Sequence, residues 1–399
     1  MAGNRLRILF IADGRSPIAL NWIAGQIDAG HEIHLLSTFP CEPGLPLASL
    51  GELPLAFGAA AGAASRGERV AGLRRLIPVG LRTALRQRLV PRSLPKAARR
   101  LQGAIDAIKP DLIHAMRIPF EGMVSALAVE QLTGAPPLLV SIWGNDFTFH
   151  ASSTRDMAEL TRHTLKLAAA LHADCQRDLR LAREWGFPSG RPTVVLPGGG
   201  GVQPEIFYPE EPPSANSDAA PTVIQPRGFR AYVQNEAFFK AIPLILARSP
   251  ETRFLMPAMA DEAQAQEWGR QLGVAHAVAL LPRQTRPQMA DLFRQAQVIV
   301  SPTTHDGTPN TLLEALACGC FPVAGDIESL REWITPGVNG FLCDPTNPQA
   351  LAEGVLQALS APDLRQQARA VNLALITTRA SFPVVMEQAQ TFYHRLTGE

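Results

Sequence analysis

The most chemically suggestive stretch of the chain is HDGTPNTLLEALACGCFPVAGDIESLREWI, residues 305–334. It sets Asp306 and Glu314 eight residues apart, across a loop that turns into a helix. Thr308 has the chemistry of an N-cap, Pro309 suits a first helical position and Gly319 a stop, which predicts a helix from Pro309 to Cys318. The unpaired N–H groups at its start, near Asn310, Thr311 and Leu312, together with the helix dipole suit an anion such as a diphosphate. Gly307 allows the backbone a close approach. Glu314, one turn further in, shares a face with Asn310 and Thr311 and can accept two hydroxyl hydrogen bonds, as a ribose diol requires. Asp306 can do the same for sugar hydroxyls. Spacing alone leaves a second reading open, in which Asp306 is a turn residue before glycine and Glu314 an ordinary helix residue.

These residues need a frame, and the chain supplies one twice. In the first half, short β-rich runs alternate with helical stretches: RILFIAD (7–13), EIHLLST (32–38), DLIHAM (111–116), PLLVSIW (137–143) and PTVVLP (192–197). Such alternation predicts a parallel sheet wound on both sides. Ser16 and Pro17 form an N-cap and first-turn pair for a helix running to Gly30, so the loop 13–16 sits at a strand's C-terminal end, where ligands bind in open α/β sheets. The second half repeats the design with TVIQPR (222–227), RFLMPA (253–258), AVALLP (277–282), VIVSPT (298–303), CFPVAG (320–325) and GFLCDP (340–345). The polar, proline-rich run EEPPSANSDAAP (210–221) reads as a linker. The expected organisation is α/β, with two doubly wound Rossmann-like domains facing across a cleft: residues 1–209, the linker 210–221, residues 222–370, and C-terminal helices over 371–399 that return to the first domain. A length of 399 residues fits two domains of roughly 200 each.

On these residues the chain resembles the GT-B glycosyltransferases of family GT4. Asp306-x7-Glu314 and the ALACGCFPVAGDIESLREWI run after it resemble that family's E-x7-E segment, and PGVNGFLCDPTNPQALAEGV (336–355), DLIHAM, SIWGND and the run 196–209 resemble other family positions. The resemblance implies a retaining, metal-independent transfer of a sugar from a nucleotide-diphosphate sugar, a UDP- or GDP-sugar, to a hydroxyl acceptor, with no cofactor. It implies that 222–370 binds the donor and 1–209 the acceptor, that Asp306 holds the donor sugar and Glu314 the ribose, and that Gly307, Asn310, Thr311 and Leu312 lie along the diphosphate. The family's diphosphate arginine falls on Arg227. The lysine six residues later falls on Val233; Arg230 can supply the missing charge, or is equally a solvent-facing loop arginine. Arg227, Arg230 and the helix start would then stabilise the leaving diphosphate. Asp306 stands where the family usually has Glu, the glycine-rich first loop is reduced to Gly14, and Trp143 replaces the histidine of H-G-x-D. Two other classes share this architecture or ligand: a nucleotide-sugar epimerase and a noncatalytic sugar-nucleotide sensor.

Three further residues face the acceptor side in this reading: Gly14, Arg117 just past a strand, and Asp146 in WGND, which is equally an ordinary cap. His114, among apolar residues, reads as a satisfied core histidine. The GGGG at 198–201 reads as a turn between domains, because VQPEIFYP after it does not open a helix. There is no D-x-D, and five cysteines without C-x-x-C spacing argue against both disulfides and zinc, so buried thiols are expected. The +1 net charge conceals a basic block, since Arg69 to Arg100 holds ten basic residues and no acidic one. Lacking aromatics, the block does not suit nucleic acid; it reads as a solvated helix face or as a peripheral contact with an anionic membrane. No run approaches the ~18 apolar residues of a membrane span, and the run 8–12 stops at Asp13, so a cytoplasmic location is expected.

Overall fold

The computed structural model describes residues 5–55, 79–210 and 220–398, leaving aside the side chains of 79–83. Residues 211–219 of the linker and 69–78 of the basic block therefore lie outside the described residues. The chain forms two compact units, one running to Gly200 and resuming at Val385, the other spanning Gly201–Val384. The change of unit falls inside the GGGG run, nine residues ahead of the 210–221 segment.

The first unit carries a parallel seven-stranded sheet in the order β3-β2-β1-β4-β5-β6-β7. Its strands are β1 Arg7–Ala12, β2 Glu32–Ser37, β3 Ser49–Glu52, β4 Leu112–Ala115, β5 Leu138–Ile142, β6 Ala170–Ala173 and β7 Thr193–Val195. The central strands are covered on both faces, as all-parallel sheets require, and β4, β5 and β6 are buried along their whole length. The second unit holds a parallel six-stranded sheet, β10-β9-β8-β11-β12-β13. These strands are β8 Thr222–Ile224, β9 Arg253–Met256, β10 Val278–Leu280, β11 Val298–Ser301, β12 Phe321–Gly325 and β13 Phe341–Cys343. All eleven anticipated strands form, each trimmed at its ends. The two not anticipated, SLGE of β3 and ALHA of β6, lack β-branched residues, and ALHA is a strand only because burial on both faces makes it one.

Both sheets reverse strand order beside their first strand, between β1 and β4 and between β8 and β11. At such a switch point the connections leave in opposite directions and open a crevice beyond the carboxyl ends. The crevice of the first unit is bordered by 13–16 and 116–122, that of the second by 225–230 and 302–308.

The helix Pro17–Asp28 starts as its sequence predicts, with Ser16 Oγ accepting from the Ala19 N–H at 3.4 Å. The final helix, Phe382–Thr397, is in the first unit from Val385 onward. There Tyr393 enters a buried relay: Trp22 Nε1 donates to its hydroxyl (2.8 Å), which meets His114 Nδ1 (2.7 Å); His114 Nε2 meets Ser141 Oγ (2.8 Å), which meets His172 Nδ1 (2.8 Å), and His172 Nε2 donates to the Leu196 carbonyl (2.9 Å). His114 is thus a satisfied core residue. Cys175, Cys318 and Cys320 are buried thiols as expected, whereas Cys41 and Cys343 keep partial exposure.

Candidate functional site

In the second unit, the segment after β8 turns back on itself around two buried amides. Gln225 donates to the Asn235 side chain, whose amide donates to the Gly228 carbonyl at 3.1 Å, while Gln225 Oε1 accepts the Arg227 N–H at 2.8 Å. This fixes the backbone of Arg227 at the switch point. Its guanidinium forms a close ion pair with Asp306 and reaches Thr311 Oγ1 at 3.4 Å, so Arg227, Asp306 and the start of the following helix meet in one place. Both charged side chains are mostly withdrawn from water, 11% and 16% exposed. Asp306 also accepts from the Gly307 N–H (3.1 Å), and its carbonyl accepts from Ser329 Oγ (2.7 Å).

The helix runs Asn310–Ala317, one residue shorter at each end than predicted, and its N-cap is Pro309. Thr308 does not cap it because its hydroxyl faces inward and accepts the Trp333 indole N–H at 3.0 Å. The Leu312 N–H already donates to the Pro309 carbonyl at 3.0 Å and its side chain lies in the core, so the helix start offers an anion the N–H groups of Asn310 and Thr311 but not that of Leu312. Glu314 sits one turn in, 15% exposed, facing Arg286 at 3.6 Å. Burial pushes its carboxyl up to about 7, against the pull of Arg286. Arg286 in turn donates to Gln203 Oε1 at 2.8 Å and packs over Phe207. Neither Arg286 nor its link to Glu314 was anticipated; the TRPQ start of its helix, with a Thr285–Gln288 capping box, is the one local signal that fixes it. Arg230 is exposed, and its Nε donates to the Arg227 carbonyl at 3.2 Å. Val233 is buried and bridges to Thr303, so it borders the same loop without charge.

The first unit gathers Gly14, Arg117 and Asp146 at its own switch point. The Gly14 N–H donates to Ser37 Oγ at 3.0 Å, and a Cβ at Gly14 would collide with Cys41 Sγ, which is why this turn carries no side chain. Asp146 is fully buried and accepts from Arg117 (2.7 Å), from the Ile118 N–H (3.1 Å) and from the Trp143 N–H (3.2 Å), tying together the loops after β4 and β5. Desolvation raises its carboxyl and Arg117 opposes that. Around them stand residues that the sequence alone does not single out. Arg15 is paired with Asp13 at 2.9 Å and stacked 3.7 Å from the Phe39 ring centre, Arg86 lies over Phe120 and Phe39, and Glu121 is buried and accepts from Thr38 Oγ1 at 2.8 Å. Phe120 has φ +71°, a conformation costly for a bulky residue and of the kind that clusters at binding sites.

One group of possible metal ligands exists among the described residues, Asp174, Cys175 and Asp178. Asp178 is committed to Arg177 at 2.7 Å and burial pushes the Cys175 thiol far up, so the set favours a packed helix start over a cation site.

Two family models match the chain: Glycosyl transferase 4-like domain over residues 14–198 and Glycosyl transferases group 1 over residues 211–371. The D-inositol 3-phosphate glycosyltransferase of Thermobispora bispora is 27% identical over 192 residues, covering 44% of this chain and 44% of that protein, so the match spans under half of the curated relative's length. Among solved structures, sucrose-phosphate synthase from Thermosynechococcus elongatus superposes with TM-score 0.76 at 16% identity, covering 99% of this chain and 100% of that one. HepE of Anabaena, in complex with UDP-glucose, gives 0.71 at 16% identity over 97% and 99%. These likenesses establish the two-domain α/β fold of the GT-B kind.

Proposed function

Since the chain belongs to the group 1, GT4-type glycosyl transferases, we propose that it moves a sugar, with retention and without a metal, from a nucleotide-diphosphate sugar bound at the second unit's switch point to a hydroxyl acceptor. The observation that carries this reading is the meeting of Arg227, Asp306 and the start of the helix Asn310–Ala317 in one place, with Glu314 one turn behind. A guanidinium beside two helix-start N–H groups suits the diphosphate, and these groups act where charge develops as the leaving group departs. Arg230, exposed one turn of chain away, adds charge at the rim. Glu314 takes the ribose diol, and Asp306 takes sugar hydroxyls once the donor's phosphates compete for its arginine. UDP-sugars are the first donors to try, because HepE is described with UDP-glucose.

In this reading no side chain serves as nucleophile; the departing phosphate oxygen takes the acceptor's proton. The test is incubation with UDP- and GDP-sugars, with and without a cell extract as acceptor source, with release of free nucleotide as the readout. Acceptor-dependent release that is lost in Arg227→Met and in the Asp306→Ala/Glu314→Ala double variant is the expected result. Release at the wild-type rate from the double variant defeats the assignment of the site, and isomerised donor without any acceptor would make the protein an epimerase.

A further inference from the structure

Over residues 84–89 the helix Val79–Leu89 is inverted relative to an ordinary surface helix. Leu85 and Leu89 are exposed at 39% and 37%, Arg88 points to solvent, and yet Arg86 is half-buried and Gln87 is buried. Water normally keeps the arginines and the interior takes the leucines, so a helix that turns an arginine inward is holding it for something. Gln87 is accounted for by a hydrogen bond with His150 Nδ1 at 3.0 Å.

Arg86 has no such account. Its guanidinium carbon lies 4.5 Å from the Phe120 ring centre and 5.1 Å from that of Phe39, and among the described residues it makes neither a hydrogen bond nor an ion pair. The strained backbone of Phe120 places one of these rings, and Phe39 also carries Arg15. The neighbouring charges do not complete it. Asp13 is engaged by Arg15 and Asp146 by Arg117, while the buried Glu121 bonds Thr38. Glu121 is the carboxylate that Arg86 feels most, but burial raises its pKa and so weakens it as a counter-charge. His150 registers the same positive field, since after burial the largest influences depressing it to about 3 are Arg117 and Arg86. A guanidinium over two aromatic faces, with its N–H fork unused among the described residues, is suited to meet the oxygens of a phosphate or carboxylate.

We propose that Arg86, flanked by Arg15 and Arg117 at the switch point of the first sheet, binds an oxyanion carried by the hydroxyl acceptor, so that the acceptor is an anionic polyol. The identification of this anion as part of an acceptor rests on the glycosyltransferase reading; the anion site itself rests on Arg86. The oxyanion belongs either to a small soluble ester or to a lipid headgroup, and the exposed Leu85, Arg88 and Leu89 beside it make the second source worth a separate arm.

The experiment uses the full chain and measures binding of glycerol 3-phosphate, glycerol and inorganic phosphate by calorimetry. A parallel arm uses sedimentation with phosphatidylcholine vesicles with and without phosphatidylinositol phosphate. The wild type should bind glycerol 3-phosphate at least tenfold more tightly than glycerol, or sediment only with the anionic vesicles. Arg86→Gln should remove that preference, Arg86→Lys should keep part of it, and Arg248→Gln, at an exposed arginine of the second unit, should leave it unchanged. Soluble binding alone assigns a small acceptor, and vesicle binding alone a headgroup; either supports the site. Equal binding of glycerol and its phosphate without vesicle binding, or retention of the preference by Arg86→Gln, overturns it. UDP-glucose affinity is measured on the same variants. Phosphate binding without any nucleotide binding would keep the anion site and remove the glycosyltransferase reading, and the opposite pattern would do the reverse.

Discussion

Changing Glu314 to glutamine isolates the most informative titration in the molecule. The folded carboxyl sits at about 7 because burial outweighs Arg286, whose guanidinium is 3.6 Å away. If the ionised form accepts the two ribose hydroxyls, donor affinity follows the ionised fraction, which is about 9% at pH 6 and about 91% at pH 8 for a group of this pKa. The apparent Kd should therefore fall about tenfold over those two pH units, the affinity being present above pH 7 and lost as the carboxyl protonates below it. Glu314→Gln should abolish the slope and weaken binding at pH 8 by roughly tenfold or more, the cost of replacing charge-assisted hydrogen bonds by neutral ones. Arg286→Gln should move the midpoint above 7, because the cation that holds the carboxyl down is gone. The assay is calorimetry with UDP-glucose, with GDP-mannose in parallel; a diphosphate diester is chosen because it has no ionisation of its own near neutrality. A flat wild-type profile, or an equal slope in Glu314→Gln, would falsify the argument, and a midpoint unmoved in Arg286→Gln would show that the pair is not electrostatically linked.

Other variants probe the frame. Tyr393→Phe strands the Trp22 indole N–H and His114 Nδ1 in the core and should cost about 1–3 kcal/mol in urea unfolding, with the loss concentrated in the first unit. The same relay predicts acid lability. Its chain of donors runs one way, from Trp22 to the Leu196 carbonyl, with His114 and His172 both neutral, and burial holds His114 well below its usual value and His172 at about 4. The unfolded chain takes up these protons first, so stability present above about pH 6.5 should drain as pH falls toward 4, which thermal melts across that range will show. Gly14→Ala should destabilise the fold through its collisions with Cys41 and Ser37, by about 1–3 kcal/mol of overpacking, and Cys41→Ala in the same chain should recover only the share due to the sulfur, Ser37 Oγ still lying 2.9 Å from the added Cβ. An equal melting temperature for Gly14→Ala and wild type would mean that the loop yields freely.

The strands were legible where burial on both faces forces a continuous apolar run, as in RILFIA and VIVS, and illegible where packing alone imposes the strand, as in ALHA. Residues near one another in sequence were placed correctly: Ser16 and Pro17 open their helix, and Asp306 stands at the start of the helix carrying Glu314. The partners came from far away. Arg227 lies 79 residues from Asp306, and Arg286 faces Glu314 from another helix, and no local period carries such pairings. Thr308 misled because a good capping residue found a better use under Trp333. Arg86 belongs to a basic block, where charge alone suggests a solvated face; only the exposure of Leu85 and Leu89 beside it reveals the inversion.

Each sheet thus ends its reversal in an arginine and an aspartate, and the two pairs differ in a way that bears on their use. Asp146 is wholly buried and pinned by the Ile118 and Trp143 N–H groups besides Arg117. Removing it would take the buried counter-charge from Arg117 and strand the Ile118 and Trp143 N–H groups, so this pair acts as a brace that fixes two loops. Asp306 keeps 16% exposure, and its arginine also touches Thr311 at the start of a helix. An ion pair at that depth gains little over the cost of desolvating both groups, so exchanging the carboxylate for a diphosphate that also meets helix-start N–H groups costs correspondingly little. In the proposed reading the carboxylate would serve before binding to hold the guanidinium at the switch point, and after it to meet hydroxyls of the arriving sugar. That double role requires a short side chain close to the arginine, and an aspartate at this position meets the requirement.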